Sequence, residues 1–175
     1  MLPNAPIRPI TINGGVSMRG WYDILTLDRT ADLSTNLEDA RGIEDSTSPL
    51  HSLLDHEISL LPSSHHLLLG GFSQGGAMAL HAGLSYVQPL AGLASCSGYL
   101  LRSDTYPGHI QAGQRATPVL AYHGSEDDMV SAARGPRPLT PWDSFSIPCP
   151  RPTCPSYSPR CPLCFLVVAA IAFFK

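Results

Sequence analysis

The feature that most constrains the fold is an apolar run followed by a glycine-rich turn and a segment of small residues. It covers residues 67–84, LLLGGFSQGGAMALHAGL. The three leucines are typical of a buried parallel strand, and Ala77 to Ala82 favour a helix. Ser73 therefore stands where a strand turns sharply into a helix, inside the G-x-S-x-G pattern of Gly71 to Gly75.

This pattern predicts a serine nucleophile held on a strained turn. Gly71 and Gly75 lack a Cβ and would let the strand and the helix pass close to each other. The backbone N–H of Gln74 would then face the oxygen that becomes negative during acyl transfer. The alternative is a glycine-rich turn with an incidental serine, but the flanking leucines and the small-residue helix favour the nucleophile.

Two further segments after Ser73 predict the fold class. Residues 90–101 and 118–122 are short and apolar, so we expect two more buried strands, with Cys96 as a small core residue and residues 102–116 as loop. The alternation of strands with a helix predicts an α/β fold with a parallel sheet. Functional groups collect at the carboxyl ends of such strands. The acidic run 126–128 follows the last of them, although it could equally be a solvated turn.

The part before the turn is less regular. Prolines at positions 3, 6 and 9 predict an extended, irregular loop over residues 1–24, in which Trp21 most simply packs in the core. Residues 28–47 are expected to form a solvated acidic segment. Ser48 and Pro49 look like the N-cap and first residue of an amphipathic helix over 49–61. The pair at 65–66 is interpreted as strand-edge histidines rather than metal ligands.

Composition excludes several classes of function. The chain has 175 residues and a net charge of −3, so no basic surface indicates nucleic-acid binding. The start lacks the pattern of a signal peptide. We therefore expect a cytoplasmic protein with reduced cysteines.

The last 45 residues differ from the rest. Residues 131–175 carry nine prolines and four cysteines, and we expect them to form a disordered tail. A zinc site using Cys161 and Cys164 is an alternative, but the spacing of Cys149 and Cys154 does not support it. The uncharged run 163–174 is too short to span a bilayer, which needs ~20 residues. It could lie on a membrane surface.

Four stretches together resemble the acyl-protein thioesterase (phospholipase/carboxylesterase) family, particularly its fungal members. They are LPNAPIRPITINGGVSMRGWYDI, GGFSQGGAMAL, SGYLL and TPVLAYHGSEDDMV, in that order within residues 2–130. The resemblance implies a partial α/β-hydrolase fold over residues 1–130 with a mostly parallel sheet. The first strands and the last helix and strand of that fold would be absent.

The resemblance also implies a function. The family cleaves acyl thioesters and esters, including palmitoyl groups on protein cysteines and lysophospholipids, with no metal or organic cofactor. Ser73 would be the nucleophile, Asp127 the acid of the triad and the Gln74 N–H an oxyanion donor. Trp21 would bind substrate, near the acyl-binding groove. Substrates would be acylated proteins or lysophospholipids, reached through transient contact with a membrane surface, in the cytoplasm and also the nucleus.

The chain departs from the family in ways that bear on activity. The family's His-Gly-x-Gly-Asp oxyanion loop would precede residue 1, and its catalytic histidine would follow the acid. All seven histidines precede Asp127: His51, His56, His65, His66, His81, His109 and His123. We therefore expect this chain to be inactive or nearly so, and to come from a reading frame that begins late and departs from the family after Val130. The alternative is a non-catalytic fragment that binds acyl chains or a partner.

Overall fold

The structure, a computed structural model, describes residues 1–26 and 38–124. The strands are β1 (Ile7–Ile10), β2 (Val16–Arg19), β3 (Leu68–Phe72), β4 (Gly92–Cys96) and β5 (Val119–Tyr122), and the helices are α1 (Ala40–Ser59) and α2 (Gln74–Leu84). Short 3-10 turns follow β1, precede β3 and lie between β4 and β5.

A three-stranded parallel sheet in the order β3-β4-β5 forms the centre of the molecule. Helix α2 covers β3 and β4, and α1 packs against α2. The core between these layers contains Leu54, Leu67, Met78, Leu80 and Leu93, each of which is almost fully buried. The prediction of an α/β fold with a parallel sheet is confirmed.

Residues 7–19 form a β-hairpin, so the prediction of an irregular loop over residues 1–24 was wrong for this part. Strands β1 and β2 pair antiparallel from Ile7 opposite Arg19 to Ile10 opposite Val16. Gly14, with φ 66°, lies in the connection. The extended backbone that proline favours is also what a strand needs, and a two-stranded hairpin tolerates a proline such as Pro9 because each strand is an edge.

Helix α1 begins nine residues earlier than predicted. Asp39 is its N-cap and accepts a 2.9 Å hydrogen bond from the backbone N–H of Gly42. Ser48 is therefore not a cap, and Pro49 lies exposed inside the helix. The early turns escaped prediction because Ser46, one of the residues on their buried face, is small and polar.

Two further expectations about burial were wrong. Strand β5 is half-buried rather than buried, and Leu120 is 37% exposed, since β5 is the last strand of the sheet within the described residues. Cys96 at the end of β4 is also half-buried. Helices within residues 1–26 and 38–124 are either too short or too polar to cross a membrane.

Candidate active site

Ser73 lies at the junction of β3 and α2 with an unusual backbone. Its φ is 52° and its ψ is −123°, a conformation that costs a residue with a Cβ of order 1–3 kcal/mol. Its N–H donates to the carbonyl of Cys96 at 2.8 Å, and its carbonyl accepts from the N–H of Ala77 at 3.0 Å. These two bonds join the turn to both β4 and α2. The predicted position of the serine, between a strand and a helix, is confirmed.

Of the two glycines predicted to allow close packing of strand and helix, Gly71 does so and Gly75 does not. A Cβ on Gly71 would lie 2.3 Å from the carbonyl of Gly75, so Gly71 is needed for strand and helix to meet. The nearest neighbour of a Cβ on Gly75 would be the indole Nε1 of Trp21 at 3.7 Å, which is ordinary van der Waals contact. The second glycine required for close packing is Gly76, where a Cβ would lie 2.9 Å from the carbonyl of Gly71.

Gln74 is the first residue of α2, directly after the serine. Its backbone N–H has no acceptor within the helix, and it lies at the positive end of the helix dipole. A negative oxygen beside Ser73 would be stabilised there. The role of this N–H as an oxyanion donor remains a prediction.

The side chain of Gln74 makes two hydrogen bonds that the sequence did not indicate. Its Oε1 accepts from the backbone N–H of Trp21 at 2.8 Å, and its Nε2 donates to the carbonyl of Tyr22 at 2.7 Å. Trp21 and Tyr22 lie 53 and 52 positions before Gln74 in the chain, and no local sequence pattern predicts such a pairing. The contact joins the end of the hairpin to the serine turn.

Trp21 is half-buried and borders a cavity of about 370 Å³ that also contains Ser73. Most of its lining is apolar and comes from α1, β3 and α2: Leu50, Leu53, Leu54, Leu69, Phe72, Met78 and Ala79. Arg19 is the one charged residue among the described residues that line it. Such a cavity suits a hydrocarbon chain because burying apolar surface is favourable. The role of Trp21 in substrate binding remains a prediction.

No histidine within the described residues hydrogen-bonds to the Oγ of Ser73. His81 on α2 is 2% exposed, and its Nδ1 lies 3.4 Å from the hydroxyl of Tyr106. Its ring stacks on that of His109 at 4.4 Å. Burial, together with the nearby His109, lowers the pKa of His81 to about 4. His123 follows β5, which β4 separates from the serine strand.

The other predicted groups can be placed only in part. Asp127 and its acidic neighbours lie outside the described residues, as do residues 131–175. His65 and His66 are exposed on the 3-10 turn before β3. Within the part of the chain that the structure describes, no three His, Cys, Asp or Glu side chains come close enough to hold a metal ion.

A serine in a strained turn between a parallel strand and a helix, beside an apolar cavity, defines the α/β-hydrolase class. Residues 1–138 match the Phospholipase/Carboxylesterase family, and the chain belongs to that family. This confirms the family resemblance found in the sequence.

Individual relatives agree with this assignment. Acyl-protein thioesterase 1 of Gibberella zeae is 41% identical over 137 residues, which cover 77% of this chain and 58% of that protein. The crystal structure of Arabidopsis thaliana SOBER1 is similar with a TM-score of 0.65 at 29% identity, covering 76% of this chain and 62% of the other. Zea mays acyl-protein thioesterase 2 gives a TM-score of 0.61 at 28% identity, with 76% and 61% covered. The chain thus spans less than two thirds of each of these proteins.

Proposed function

We propose that this chain carries the nucleophile of a serine hydrolase that cleaves acyl thioesters and esters. The observation that carries the proposal is the positive φ of Ser73, 52°, in a turn that lines an apolar cavity. That geometry presents the hydroxyl to an acyl group whose chain lies in the cavity.

The reaction would proceed through an acyl-serine. The Oγ of Ser73 attacks the acyl carbonyl, and the N–H of Gln74 donates to the oxyanion. This attack gives a tetrahedral intermediate. Its collapse breaks the carbon–sulfur bond, and the departing thiolate takes up the proton that the serine hydroxyl lost. Water then cleaves the acyl-serine ester, which releases the carboxylic acid and restores the hydroxyl.

The relatives and the cavity support a class of substrate. Curated relatives carry the name acyl-protein thioesterase 1, which supports acylated proteins, and palmitoyl groups on cysteine above all, as substrates. A lysophospholipid or a simple carboxylic ester would present the same carbonyl, so carboxylesterase activity is the nearest alternative. We place the protein in the cytoplasm and nucleus, with transient contact at a membrane surface.

We further propose that the chain is slow or inactive by itself. A hydroxyl nucleophile needs a base, and loss of the base costs several orders of magnitude in rate. Ser73 has no histidine partner within the described residues, and Asp127 is our candidate for the acid of the triad. A non-catalytic fragment that binds acyl chains is the alternative that this observation favours.

Three measurements on the full chain separate these functions: thioester hydrolysis, covalent labelling and binding of palmitate. Hydrolysis of a palmitoyl thioester and of an acetyl thioester is followed for the wild type and for Ser73→Ala. Ser97→Ala is the matched control, because Ser97 also has a positive φ, 48°, at the end of the neighbouring strand. Labelling with an alkyl fluorophosphonate, read by mass spectrometry, detects a nucleophile even when turnover is slow.

Turnover or labelling that disappears in Ser73→Ala and persists in Ser97→Ala supports the hydrolase. Binding of palmitate without turnover or labelling supports the acyl-binding fragment. If labelling persists in Ser73→Ala, the assigned nucleophile is wrong.

A further inference from the structure

The side chain of Gln74 joins two parts of the candidate site that are far apart in sequence. Its carboxamide bonds to the N–H of Trp21 and to the carbonyl of Tyr22, at 2.8 and 2.7 Å. A primary amide can accept and donate at once, so one side chain satisfies both backbone groups. Neither a carboxylate nor an alkyl side chain of this length can do so.

The other contacts of the segment that Gln74 holds, residues 20–23, lead to elements other than the serine turn. The hydroxyl of Tyr22 donates to that of Tyr99 at 2.8 Å, and the N–H of Asp23 donates to the carboxylate of Asp39 at 2.9 Å. Gly20 closes the hairpin, with its N–H donating to the carbonyl of Pro6 at 3.0 Å. The carbonyl of Trp21 accepts from the hydroxyl of Ser46 on α1. The carboxamide of Gln74 is thus the attachment of this segment to the serine turn itself.

The position of the Trp21 indole depends on this attachment. The indole borders the cavity, and its Nε1 lies 3.7 Å from where a Cβ on Gly75 would be. Trp21 therefore borders the cavity close to the start of α2. Its backbone is fixed by the residue that directly follows Ser73.

We propose that Gln74 is a positioning residue whose side chain keeps Trp21 in place as a wall of the acyl cavity. This inference rests on the proposed function, since it takes the occupant of the cavity to be a long acyl chain. Gln74 then acts twice: its backbone N–H faces the reacting carbonyl, and its side chain shapes the site for the chain attached to that carbonyl.

A binding experiment on the full chain tests the proposal without requiring turnover. The probe is hexadecanoate, titrated into wild type, Gln74→Ala and Gln74→Glu. Gln114→Ala is the matched control. Gln114 is fully buried, and its amide also bonds to the backbone, donating to the carbonyl of Tyr86 at 3.0 Å. It does not line the cavity. It reports what the loss of a buried glutamine costs in general.

We expect Gln74→Ala to weaken hexadecanoate binding about tenfold, a change of about 1.4 kcal/mol. Gln74→Glu should be intermediate, because its carboxylate still accepts from Trp21 but cannot donate to Tyr22. Gln114→Ala should lower Tm and leave the affinity within about twofold of wild type. If affinity follows Tm across all three variants, Gln74 is merely structural and the proposal fails.

A second readout separates this inference from the proposed function. With Trp142→Phe as the background, Trp21 is the remaining tryptophan of the chain. Acrylamide should then quench its fluorescence more strongly in Gln74→Ala than in wild type or Gln114→Ala. If wild type does not bind hexadecanoate, the acyl site is refuted, whereas unchanged quenching in Gln74→Ala refutes the positioning of Trp21.

Discussion

The backbone of Ser73 is held at a positive φ by contacts on both sides of the turn. Its N–H is bonded to β4, and its carbonyl is bonded to the first turn of α2. Gly71 and Gly76 let the two elements come close enough for these bonds to form. The strain of order 1–3 kcal/mol at the serine is therefore offset by the packing of its neighbours.

A single added methyl group distinguishes the two glycines of the G-x-S-x-G pattern. Gly71→Ala should destabilise the protein by about 3 kcal/mol, because the new Cβ would meet backbone atoms of Gly75 and Gly76 that cannot move without distorting the turn. Gly75→Ala should leave the free energy of unfolding within about 1 kcal/mol of wild type, or raise it, because alanine favours a helix. Urea denaturation of both variants measures the difference. Equal losses would contradict this account of the turn.

Among the elements, α1 packs against the serine helix α2, which itself packs mainly on β3 and β4. Its buried side runs from Ile43 through Leu50 and Leu54 to Glu57, along almost its whole length. The exposed Pro49 lies in the middle of that length and cannot donate a hydrogen bond to the preceding turn. The helix is thus maintained by tertiary packing rather than by its own backbone bonds alone.

Replacing that proline tests where α1 begins. Pro49→Ala should stabilise the protein by about 1–3 kcal/mol, because it supplies the missing N–H in an exposed helix interior. Ser48→Ala should change the free energy of unfolding by only about 0.3 kcal/mol. If α1 began at Pro49 with Ser48 as its cap, Ser48→Ala would instead cost about 1 kcal/mol. Thermal unfolding of the two variants decides between the two starting points.

The elements also differ in how far the sequence predicts them. Strand β3 and helix α2 are predictable because Leu67 to Leu84 combine a leucine run, a glycine turn and small residues without conflict. The start of α1 is not predictable, since a proline and small polar residues obscure the helical spacing of its buried residues. The hydrogen bonds from Gln74 to Trp21 and Tyr22 cannot be predicted from local sequence patterns, because they join residues more than fifty positions apart.

At the scale of the whole molecule, the buried His81 and the half-buried His109 join the serine helix to the loop after β4. His81 on α2 stacks on His109, and the hydroxyl of Tyr106 lies 3.4 Å from its Nδ1. Burial is the main cause that lowers the pKa of both histidines, and Arg102 lowers them further. His51 on α1 also lowers the pKa of both histidines, whereas Glu44 on α1 raises the pKa of His109.

This pair should make the folded molecule sensitive to acid. The pKa of His81 is 6.5 in the unfolded chain and about 4 in the folded one. Below pH 6.5 the unfolded state therefore binds a proton that the folded state does not, so stability falls as the pH drops from about 6.5 to about 4. The loss reaches about 3 kcal/mol at 1.36 kcal/mol per pKa unit. Glu38 opposes it, because burial raises the pKa of that carboxyl and the folded state takes up its proton first.

Urea denaturation at pH 7.5, 6.0 and 5.0 measures this dependence. His81→Gln removes the titrating ring and should flatten the decline in stability between pH 6.5 and pH 5. His56→Gln is the matched control, since His56 is exposed near the end of α1 and outside the pair. It should keep the slope of the wild type. A slope in His81→Gln as steep as that of wild type would show that acid acts elsewhere. The contact between α2 and the loop after β4 would then not set the pH range over which the serine turn stays folded.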